Sequence, residues 1–306
     1  SKLKSYMIYP ESLKCGDRIA ILSPASHIDP KIVDDACEVL AQWGFAPVVS
    51  AHCKGVCGTY SGTLKERLED VINAFLDPSI KAILCSRGGY GMVHLLEYLS
   101  PSFLREHAKW IIGFSDITAW HAAMVNAGIV SIHASMCKHL SEHGGDDECS
   151  MSLKSILMGS KLPNYSMESH EFNKIGIVTG TILGGNMAVM CALASTTIDI
   201  LKRDIILFIE DISEPIYKIE RLLYELRLNG VLPNLKGLIV GQFTDYKPDQ
   251  NGETMYEMIH RLTADYNYPI AFNFPVGHVD RNLPLIEGGV ATLSVTKDST
   301  TLTFSR

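Results

Sequence analysis

The stretch IIGFSDITAW, residues 111–120, joins a short apolar run to the start of a helix. A continuously apolar run of this kind is typical of a strand that is buried on both faces. Strand and helix patterns alternate on either side of it through the N-terminal half of the chain. This alternation predicts an α/β fold whose parallel sheet is covered by helices.

The predicted elements of this half follow one another in regular order. Strands are predicted at 17–26, 46–51, 80–86, 109–115 and 129–135, and helices at 30–45, 63–78, 92–99 and 116–128. Residues 139–172 break the rhythm, because they are polar and rich in turn formers, with one short helical piece. We therefore expect a domain boundary in this segment, with domains at 1–165 and 166–306, the second of mixed α/β structure.

The composition excludes several classes of protein. The 306 residues are 46% hydrophobic and 20% charged, which provides enough apolar material for a sizeable core. The formal net charge is −7 and no long basic tract occurs, which argues against nucleic-acid and membrane-surface partners. No apolar run reaches the roughly 18 residues that a membrane-spanning helix needs.

Eight cysteines are scattered along the chain, and several lie in apolar runs, such as Cys37, Cys85 and Cys191. This pattern is typical of reduced and mostly buried thiols, so we expect a cytoplasmic protein. Residues 1–17 carry no hydrophobic signal core, and a signal peptide removed before Ser1 stays an open alternative.

Ser115 has two interpretations. A strand, a Gly-x-Ser turn and a helix resemble half of a nucleophile elbow, in which a tight turn exposes a serine hydroxyl at the carboxyl edge of a sheet. Gly113 supplies the first glycine of that motif, but Ile117 stands where the second is usual. The alternative is that Ser115 simply caps the helix, with Asp116 in its first turn.

Two glycine-rich turns offer backbone amides to a ligand. SRGGYG, residues 86–91, follows a predicted strand directly, and its adjacent glycines permit a close approach. It matches neither a dinucleotide nor a Walker pattern, so a plain turn is the alternative, although Arg87 is placed to bind a carboxylate. The second turn, GTILGGNMAVM (180–190), is either a binding turn or a helix start packed closely on a strand.

Glu210 and His278 extend the set of candidate groups. Glu210 stands where the predicted strand of FIEDISE (208–214) ends, and Glu214 with Pro215 already provides a start for the next helix. Capping therefore explains Glu210 poorly. His278 lies in the glycine-containing loop FPVGHVDRN, for which simple solvent exposure is the alternative.

Together with Ser115 these residues suggest a serine hydrolase with the chain order Ser, Glu, His, although spacing alone does not bring the three together. Metal ligation has less support. HCKGVC (52–57) lacks a second ligand pair, and HLSEH (139–143) lacks the H-E-x-x-H arrangement. We expect no metal.

Five motifs, in one order, resemble a known family. SRGGYG, GFSDITAWH, GTILGGNMAVM, EDISEPIYKIERLL and GHVDRNLPL are similar to signatures of the LD-carboxypeptidases of peptidase family S66, and the similarity covers nearly the whole chain. The resemblance implies a homodimer without a cofactor. It also implies a Rossmann-like, glutaminase-like N-terminal domain with a parallel sheet, which carries the nucleophile, and a smaller mixed α/β C-terminal domain, which supplies Glu and His.

The resemblance further implies a role for each matching residue. Ser115 is the expected nucleophile, His278 the general base, and Glu210 the carboxylate that orients the base. The other matched residues are the expected backbone donors of an oxyanion hole, Gly88, Gly89 and Asp116, and two expected substrate contacts, Arg87 and Asn186.

The reaction that the resemblance implies is hydrolysis of an L,D-amide, which releases terminal D-Ala from the murein tetrapeptide in peptidoglycan recycling. The same family includes microcin-C-type immunity peptidases that cleave aminoacyl-nucleotide amides and stack the base on aromatic residues of a longer loop. Residues 139–172 contain no Trp, and Tyr165 and Phe172 are their only aromatic candidates, so we favour murein peptide. One departure from the family pattern is that Ile286 and Glu287 stand where we expect a glycine.

Overall fold

The computed structural model describes residues 6–306, so residues 1–5, the start of the segment examined for a signal core, lie outside the described part. The chain divides into two compact units. The first runs to Lys161 and regains Leu283–Glu287, and the second comprises Leu162–Asn282 and Gly288–Arg306. The domain boundary expected after residue 165 stays a prediction.

The first unit alternates strands with helices, in agreement with the sequence pattern. Its strands include β1 (Arg18–Leu22), β2 (Ala46–Val49), β3 (Ile80–Cys85), β4 (Trp110–Gly113) and β5 (Ser131–His133). Its helices are α1 (Pro30–Gln42), α2 (Leu64–Leu76), α3 (Pro101–Glu106), α4 (Thr118–Asn126), α5 (Cys137–His143) and α6 (Glu148–Met158). The helix predicted at 92–99 is a 3₁₀ helix, Met92–Tyr98, and a second 3₁₀ turn, Ser115–Ile117, precedes α4.

The second unit contains the remaining helices and most of the remaining strands. Its first strands are β6 (Asn164–Glu168), β7 (Gly176–Asn186), β8 (Ile206–Ile212), β9 (Gly237–Thr244) and β10 (Ile270–Ala271). The last strands of the chain are β11 (Leu285–Glu287), which belongs to the first unit, then β12 (Val290–Val295) and β13 (Ser299–Ser305). The helices are α7 (Met187–Ala192), α8 (Ile216–Leu228) and α9 (Met255–Thr263).

Each unit is built on one sheet. The first sheet has the order β11-β5-β4-β3-β1-β2, and its strands are parallel except for β11, which pairs antiparallel with β5. The second has the order β10-β9-β8-β7-β12-β13-β6, with parallel strands from β7 to β10 and antiparallel strands beyond β7. The α/β class and the largely parallel N-terminal sheet are therefore confirmed.

Several elements differ from what the sequence pattern predicts. α3 is not foreseen, and both α5, which includes HLSEH, and β6 form in a segment expected to be polar turn with one short helical piece. Only Cys137 and Leu140 of α5 are buried, so the helix has no strong amphipathic pattern. Ile286 and Glu287, where the sequence departs from the family pattern, lie buried in β11.

Local signals explain where the site-bearing elements begin. Thr63 and Glu66 form a reciprocal capping box at the start of α2, because each side chain accepts a hydrogen bond from the backbone N–H of the other.

In the second unit, strand register places Asn186, at the end of β7, opposite Glu210 in β8. Both residues therefore lie toward the carboxyl edge of the parallel strands, where ligands of such sheets bind.

The cysteines follow the expectation only in part. All eight are thiols without a disulfide. Cys85 is buried, whereas Cys37 and Cys191 are half-buried and Cys15 and Cys57 are exposed. Among the described residues, no helix combines the length and the apolar character that crossing a bilayer requires.

Candidate active site

Ser115 lies in a strained turn at the carboxyl end of β4. Its φ is 64°, a left-handed value that is uncommon for a residue other than glycine. The cap positions before the 3₁₀ turn and before α4 are held by Phe114 and Ile117, not by Ser115. Strain of this kind is concentrated at functional sites, and it favours the elbow over the helix-cap interpretation.

The incomplete glycine motif has a packing explanation. A Cβ on Gly113 would lie 2.9 Å from the side chain of Ile117, which is itself fully buried. The first glycine is therefore needed because Ile117 packs directly over it. In this chain a buried isoleucine thus fills the space beside the turn that the second glycine of the motif would leave open.

A buried histidine fixes the strand end beside Ser115. The carbonyl oxygen of Gly113 accepts hydrogen bonds from Ala134 N at 3.0 Å and from His121 Nε2 at 2.7 Å. Burial lowers the pKa of His121 to about 4, so the ring is neutral. Since a carbonyl only accepts, the proton is on Nε2, and Nδ1 accepts from the Ser131 hydroxyl. No signal in the sequence points to this role of His121, although His121 ends the motif GFSDITAWH.

The glycine-rich turn after β3 lies against the Ser115 turn. A Cβ on Gly88 would be 3.3 Å from Asp116 N and 3.3 Å from Ser115 Cβ. Gly89 has a φ of +84°, and a Cβ there would overlap Ser26. The predicted oxyanion donors Gly88 and Asp116 therefore lie side by side next to Ser115. This is an arrangement in which backbone amides can bind developing negative charge.

The Asp116 side chain ties the two turns together. Its carboxylate accepts hydrogen bonds from the backbone N–H of Gly91 and, at 2.9 Å, from Met92 N. Burial raises the pKa of Asp116, and these two hydrogen bonds oppose that shift. Arg87, in the same turn, is exposed, and its Nη1 donates to the carbonyl of His27 at 3.0 Å. Its proposed contact with substrate stays a prediction.

In the second unit, His278 and Glu210 form a hydrogen-bonded pair. His278 Nδ1 lies 2.8 Å from Glu210 Oε2, and Glu210 is fully buried. Burial lowers the pKa of His278, but the hydrogen bond and charge of Glu210, with weaker contributions from Asp211 and Asp245, raise it overall. A Cβ on the preceding Gly277 would lie 2.9 Å from the carbonyl of Gln242, so the approach of this loop requires glycine.

Asn186 holds the other oxygen of the Glu210 carboxylate. Its Nδ2 donates to Glu210 Oε1 at 3.3 Å and to Asp211 Oδ1 at 3.1 Å, while its Oδ1 accepts from Val189 N as the N-cap of α7. Asp211 also accepts from Ala188 N, and burial raises its pKa to about 6. Asn186 is thus engaged with the carboxylates of its own unit, and its predicted role as a substrate contact is untested.

Two of the three histidines that are candidate metal ligands have carboxylate partners. His52 Nδ1 is 3.1 Å from Glu66 Oε2, and His139 Nε2 is 2.7 Å from Asp147 Oδ2. The His139 and His143 rings lie with centroids 4.3 Å apart, on adjacent turns of α5. We assign no metal to either group, and the expected absence of a metal stays a prediction.

Comparison with known proteins identifies relatives along the whole chain. The profile of the LD-carboxypeptidase N-terminal domain matches residues 19–134, and that of the LD-carboxypeptidase C-terminal domain matches residues 179–293. A putative carboxypeptidase of Synechocystis sp. is 30% identical over 99% of this chain and 99% of its own length. A probable murein peptide carboxypeptidase of Bacillus subtilis is 30% identical over 93% of this chain and 91% of its own.

Two further relatives differ from each other in name. The crystal structure of a muramoyltetrapeptide carboxypeptidase from Oxalobacter formigenes superimposes with a TM-score of 0.84, at 26% identity, over 94% of this chain and 99% of that one. The microcin C7 self-immunity protein of Escherichia coli is 26% identical over 92% of this chain and 92% of its own length.

Proposed function

Because this chain belongs to the LD-carboxypeptidase family, we propose that it is a serine carboxypeptidase that hydrolyses an L,D-amide bond. The substrate we propose is the murein tetrapeptide, whose terminal D-Ala is released in peptidoglycan recycling. The observation that carries the proposal is the 2.8 Å hydrogen bond from His278 Nδ1 to the fully buried carboxylate of Glu210. An imidazole held in this way has the arrangement of a general base.

Acylation begins with the hydroxyl of Ser115. His278 Nε2 takes the hydroxyl proton while Ser115 Oγ forms a bond to the carbonyl carbon of the L-residue. The resulting oxyanion is stabilised by backbone N–H groups, which we assign to Gly88, Gly89 and Asp116. His278 then gives its proton to the nitrogen of D-Ala, the C–N bond breaks, and an acyl-enzyme remains.

Deacylation repeats these steps with water. His278 Nε2 takes a proton from water as the water oxygen attacks the acyl carbon, and the proton then returns to Ser115 Oγ. Glu210 accepts the hydrogen bond from His278 Nδ1–H throughout, which fixes the tautomer and stabilises the imidazolium that forms twice in each cycle. The net pKa increase of His278 is consistent with this, because the neighbouring carboxylates favour its charged form.

The choice of substrate rests on relatives and on the chemistry of the product end. Two of the relatives compared are a murein peptide carboxypeptidase and a muramoyltetrapeptide carboxypeptidase. A terminal D-Ala carries a carboxylate, which an exposed guanidinium such as Arg87 can bind with two hydrogen bonds. We further propose that the protein is cytoplasmic. We also propose that it forms a homodimer, and light scattering of the purified protein would test this oligomeric state.

A second candidate function is cleavage of aminoacyl-nucleotide amides, since the self-immunity protein is also a relative. Recognition of a nucleobase by stacking needs an accessible aromatic face. Of the two aromatic residues between 139 and 172, Tyr165 is only 7% exposed. Phe172 stacks on His260, with ring centroids 4.3 Å apart and planes 5° from parallel. These positions weigh against a base platform in this segment.

The test is release of D-Ala from a tetrapeptide that contains meso-diaminopimelate. We expect the wild-type protein to release D-Ala and Ser115→Ala to release none above background, with circular dichroism as the control for folding. Failure of well-folded wild-type protein to release D-Ala would refute the murein proposal. Faster cleavage of an aspartyl sulfamoyl adenosine than of the tetrapeptide would instead favour the second candidate function.

A further inference from the structure

Arg67 is a buried cation that the proposed chemistry does not use. It lies in the first turns of α2, after the capping box, and is only 3% exposed. A buried charge is costly unless it is paired or fully hydrogen-bonded. The contacts of its guanidinium group therefore indicate what this residue does.

The guanidinium bonds chiefly to backbone carbonyls, and these come from three different loops. Nη1 donates to Pro24 O at 2.9 Å and to Gly91 O at 3.1 Å, and Nε donates to Gly62 O at 3.2 Å. The three carbonyls belong to the loop after β1, the glycine-rich turn after β3 and the loop before α2. A side chain with several donors in a rigid fork can hold all three at once.

Two further contacts involve a histidine and a tyrosine. Nη2 lies 3.1 Å from His94 Nδ1, which must accept because a guanidinium has no lone pair to offer. The carbon of the guanidinium lies 4.7 Å from the centroid of the Tyr60 ring, a cation–π distance. Arg67 thus connects the glycine-rich turn to the loop after β1 and to the loop before α2.

Gly91 links Arg67 to the turn that carries Ser115. Its carbonyl accepts from Arg67, and its amide donates to the Asp116 carboxylate, which also accepts from Met92 N. Gly91 has a φ of +133°, and a Cβ there would lie 3.1 Å from Arg67 Nη1. The peptide group between Gly91 and Met92 therefore lies between the guanidinium of Arg67 and the carboxylate of Asp116, the residue after Ser115.

We propose that Arg67 is a positioning residue that holds the turn of residues 87–91 where Gly88 stands beside Ser115 and Asp116. In this role it sets the geometry of the oxyanion hole without touching the substrate. The inference rests on the proposed function, because it presumes that Ser115 is acylated through an oxyanion. It is nevertheless separable from the identity of the substrate.

The experiment measures the reactivity of Ser115 directly, as its phosphonylation with loss of fluoride. Wild-type protein, Arg67→Met and Arg67→Lys are treated with a fluorophosphonate, and modification of the Ser115 peptide is followed over time by mass spectrometry. The matched control is Lys65→Met, the same loss of charge at an exposed position of the same helix. The fraction of molecules that the fluorophosphonate finally modifies gives the concentration of reactive sites. The kcat and KM for D-Ala release are measured on the same samples, and kcat is expressed per reactive site.

We expect Arg67→Met to slow labelling by about 10²-fold, the effect of losing an oxyanion donor, and to lower kcat by the same factor with KM nearly unchanged. Arg67→Lys should recover part of the rate, because lysine keeps the positive charge but lacks the planar, rigidly arranged N–H donors of a guanidinium. Lys65→Met should label like wild type. A role in folding alone would instead lower the fraction of reactive sites and leave kcat per site unchanged.

A double-mutant cycle with Gly91→Ala tests the same turn from its other side. The added methyl group would displace Gly91 from Arg67, so the losses of Gly91→Ala and Arg67→Met should overlap rather than multiply. Multiplying losses, or wild-type labelling by Arg67→Met, would overturn the inference. If Arg67→Met does not fold, wild-type labelling by Arg67→Lys overturns it equally.

The outcomes separate the two proposals. Slow labelling of the Arg67 variants supports the inference even if the tetrapeptide is not cleaved, in which case the substrate proposal alone fails. Normal labelling and normal kcat in those variants, with D-Ala released by wild type, refute the inference alone. Absence of Ser115 labelling in wild type refutes the serine mechanism, and the inference with it.

Discussion

The two units place their candidate reactive groups by different physical means. In the first, backbone geometry presents Ser115: a left-handed φ of 64°, a glycine at position 88 that admits close contact, and a turn fixed by Asp116. In the second, side-chain hydrogen bonds place His278, through a carboxylate that is buried and bonded on both oxygens. A side chain added to the first should damage its geometry, whereas a charge removed from the second should damage its acid–base chemistry.

The largest expected effect comes from replacing Ser115, the residue that the backbone geometry of the first unit presents. Ser115→Ala and Ser115→Gly should both lower kcat by about 10⁴-fold or more, because no nucleophile remains. Ser115→Gly should also unfold at a higher urea concentration than Ser115→Ala. Glycine adopts a φ of 64° without the strain of about 1 kcal/mol that a Cβ imposes.

Urea unfolding of the two variants side by side measures this difference. Equal midpoints would mean that the turn at Ser115 stores no strain, and that the backbone contributes less to this half than its geometry indicates. Residual D-Ala release near the wild-type rate in either variant would remove Ser115 from the mechanism.

The second largest effect is expected when the hydrogen-bonded pair of His278 and Glu210 in the second unit is disrupted. Glu210→Gln keeps the shape of the side chain but removes the charge that fixes the Nδ1 proton, so kcat should fall by about 10³–10⁴-fold. Without that charge, the effect of burial, which lowers the pKa of His278, is opposed only by the weaker contributions of Asp211 and Asp245. The midpoint of its titration, followed by NMR of the imidazole, should therefore move to lower pH. An unchanged midpoint would contradict the assignment.

Gly88→Ala sharpens the comparison, because it should affect rate without affecting titration. The new methyl group would lie 3.3 Å from both Asp116 N and Ser115 Cβ and would displace the amides beside Ser115. We expect kcat to fall by about 10²-fold, as when one oxyanion donor is lost. The His278 titration should stay at its wild-type midpoint, and a shift there would mean that the two halves are not built independently.

The smallest expected effect is the dependence of stability on pH. The folded-state pKa of His278 is raised above its ordinary value of 6.5, so its pairing contributes stability below that value. That contribution is lost as the pH rises through the folded-state pKa. The difference in free energy of unfolding between wild type and His278→Gln should therefore be larger at pH 5.5 than at pH 9. A difference that grows with pH would mean that folding lowers the pKa of His278 instead of raising it.

Activity should follow the opposite direction. His278 acts as a base only when neutral, so kcat/KM should rise with pH and level off above the raised pKa, with a midpoint above 6.5. A pH–rate profile of the tetrapeptide reaction checks this. A midpoint below 6.5 would indicate that burial, and not Glu210, dominates the environment of the base.

Much of the first sheet could be predicted because its signals are local. The strand before Ser115 is a run of apolar residues, and α1 and α2 show both amphipathic spacing and side-chain caps. The glycines at 88 and 89 mark a close approach even when its partner is unknown. Residues Leu285–Glu287 could not be assigned to this sheet, because their pairing with β5 depends on chain segments more than a hundred residues away.

The supporting residues could not be predicted for a related reason. Arg67 and His121 read as ordinary polar positions of two helices, yet their partners are backbone carbonyls of other loops or strands. Asn186 stands in a motif that suggests a binding turn, and only the register of β7 against β8 places it beside Glu210. Sequence singles out the candidate reactive side chains, whereas the contacts that hold them depend on the tertiary fold.

The most direct test of the central claim is labelling of Ser115 by a fluorophosphonate in wild type, Glu210→Gln and His278→Gln. The account predicts that wild-type protein is modified at Ser115, and that both variants are modified at least about 10²-fold more slowly, since the nucleophile then lacks its base. Equally fast labelling of Ser115 in His278→Gln would contradict the claim that the two halves form one catalytic unit.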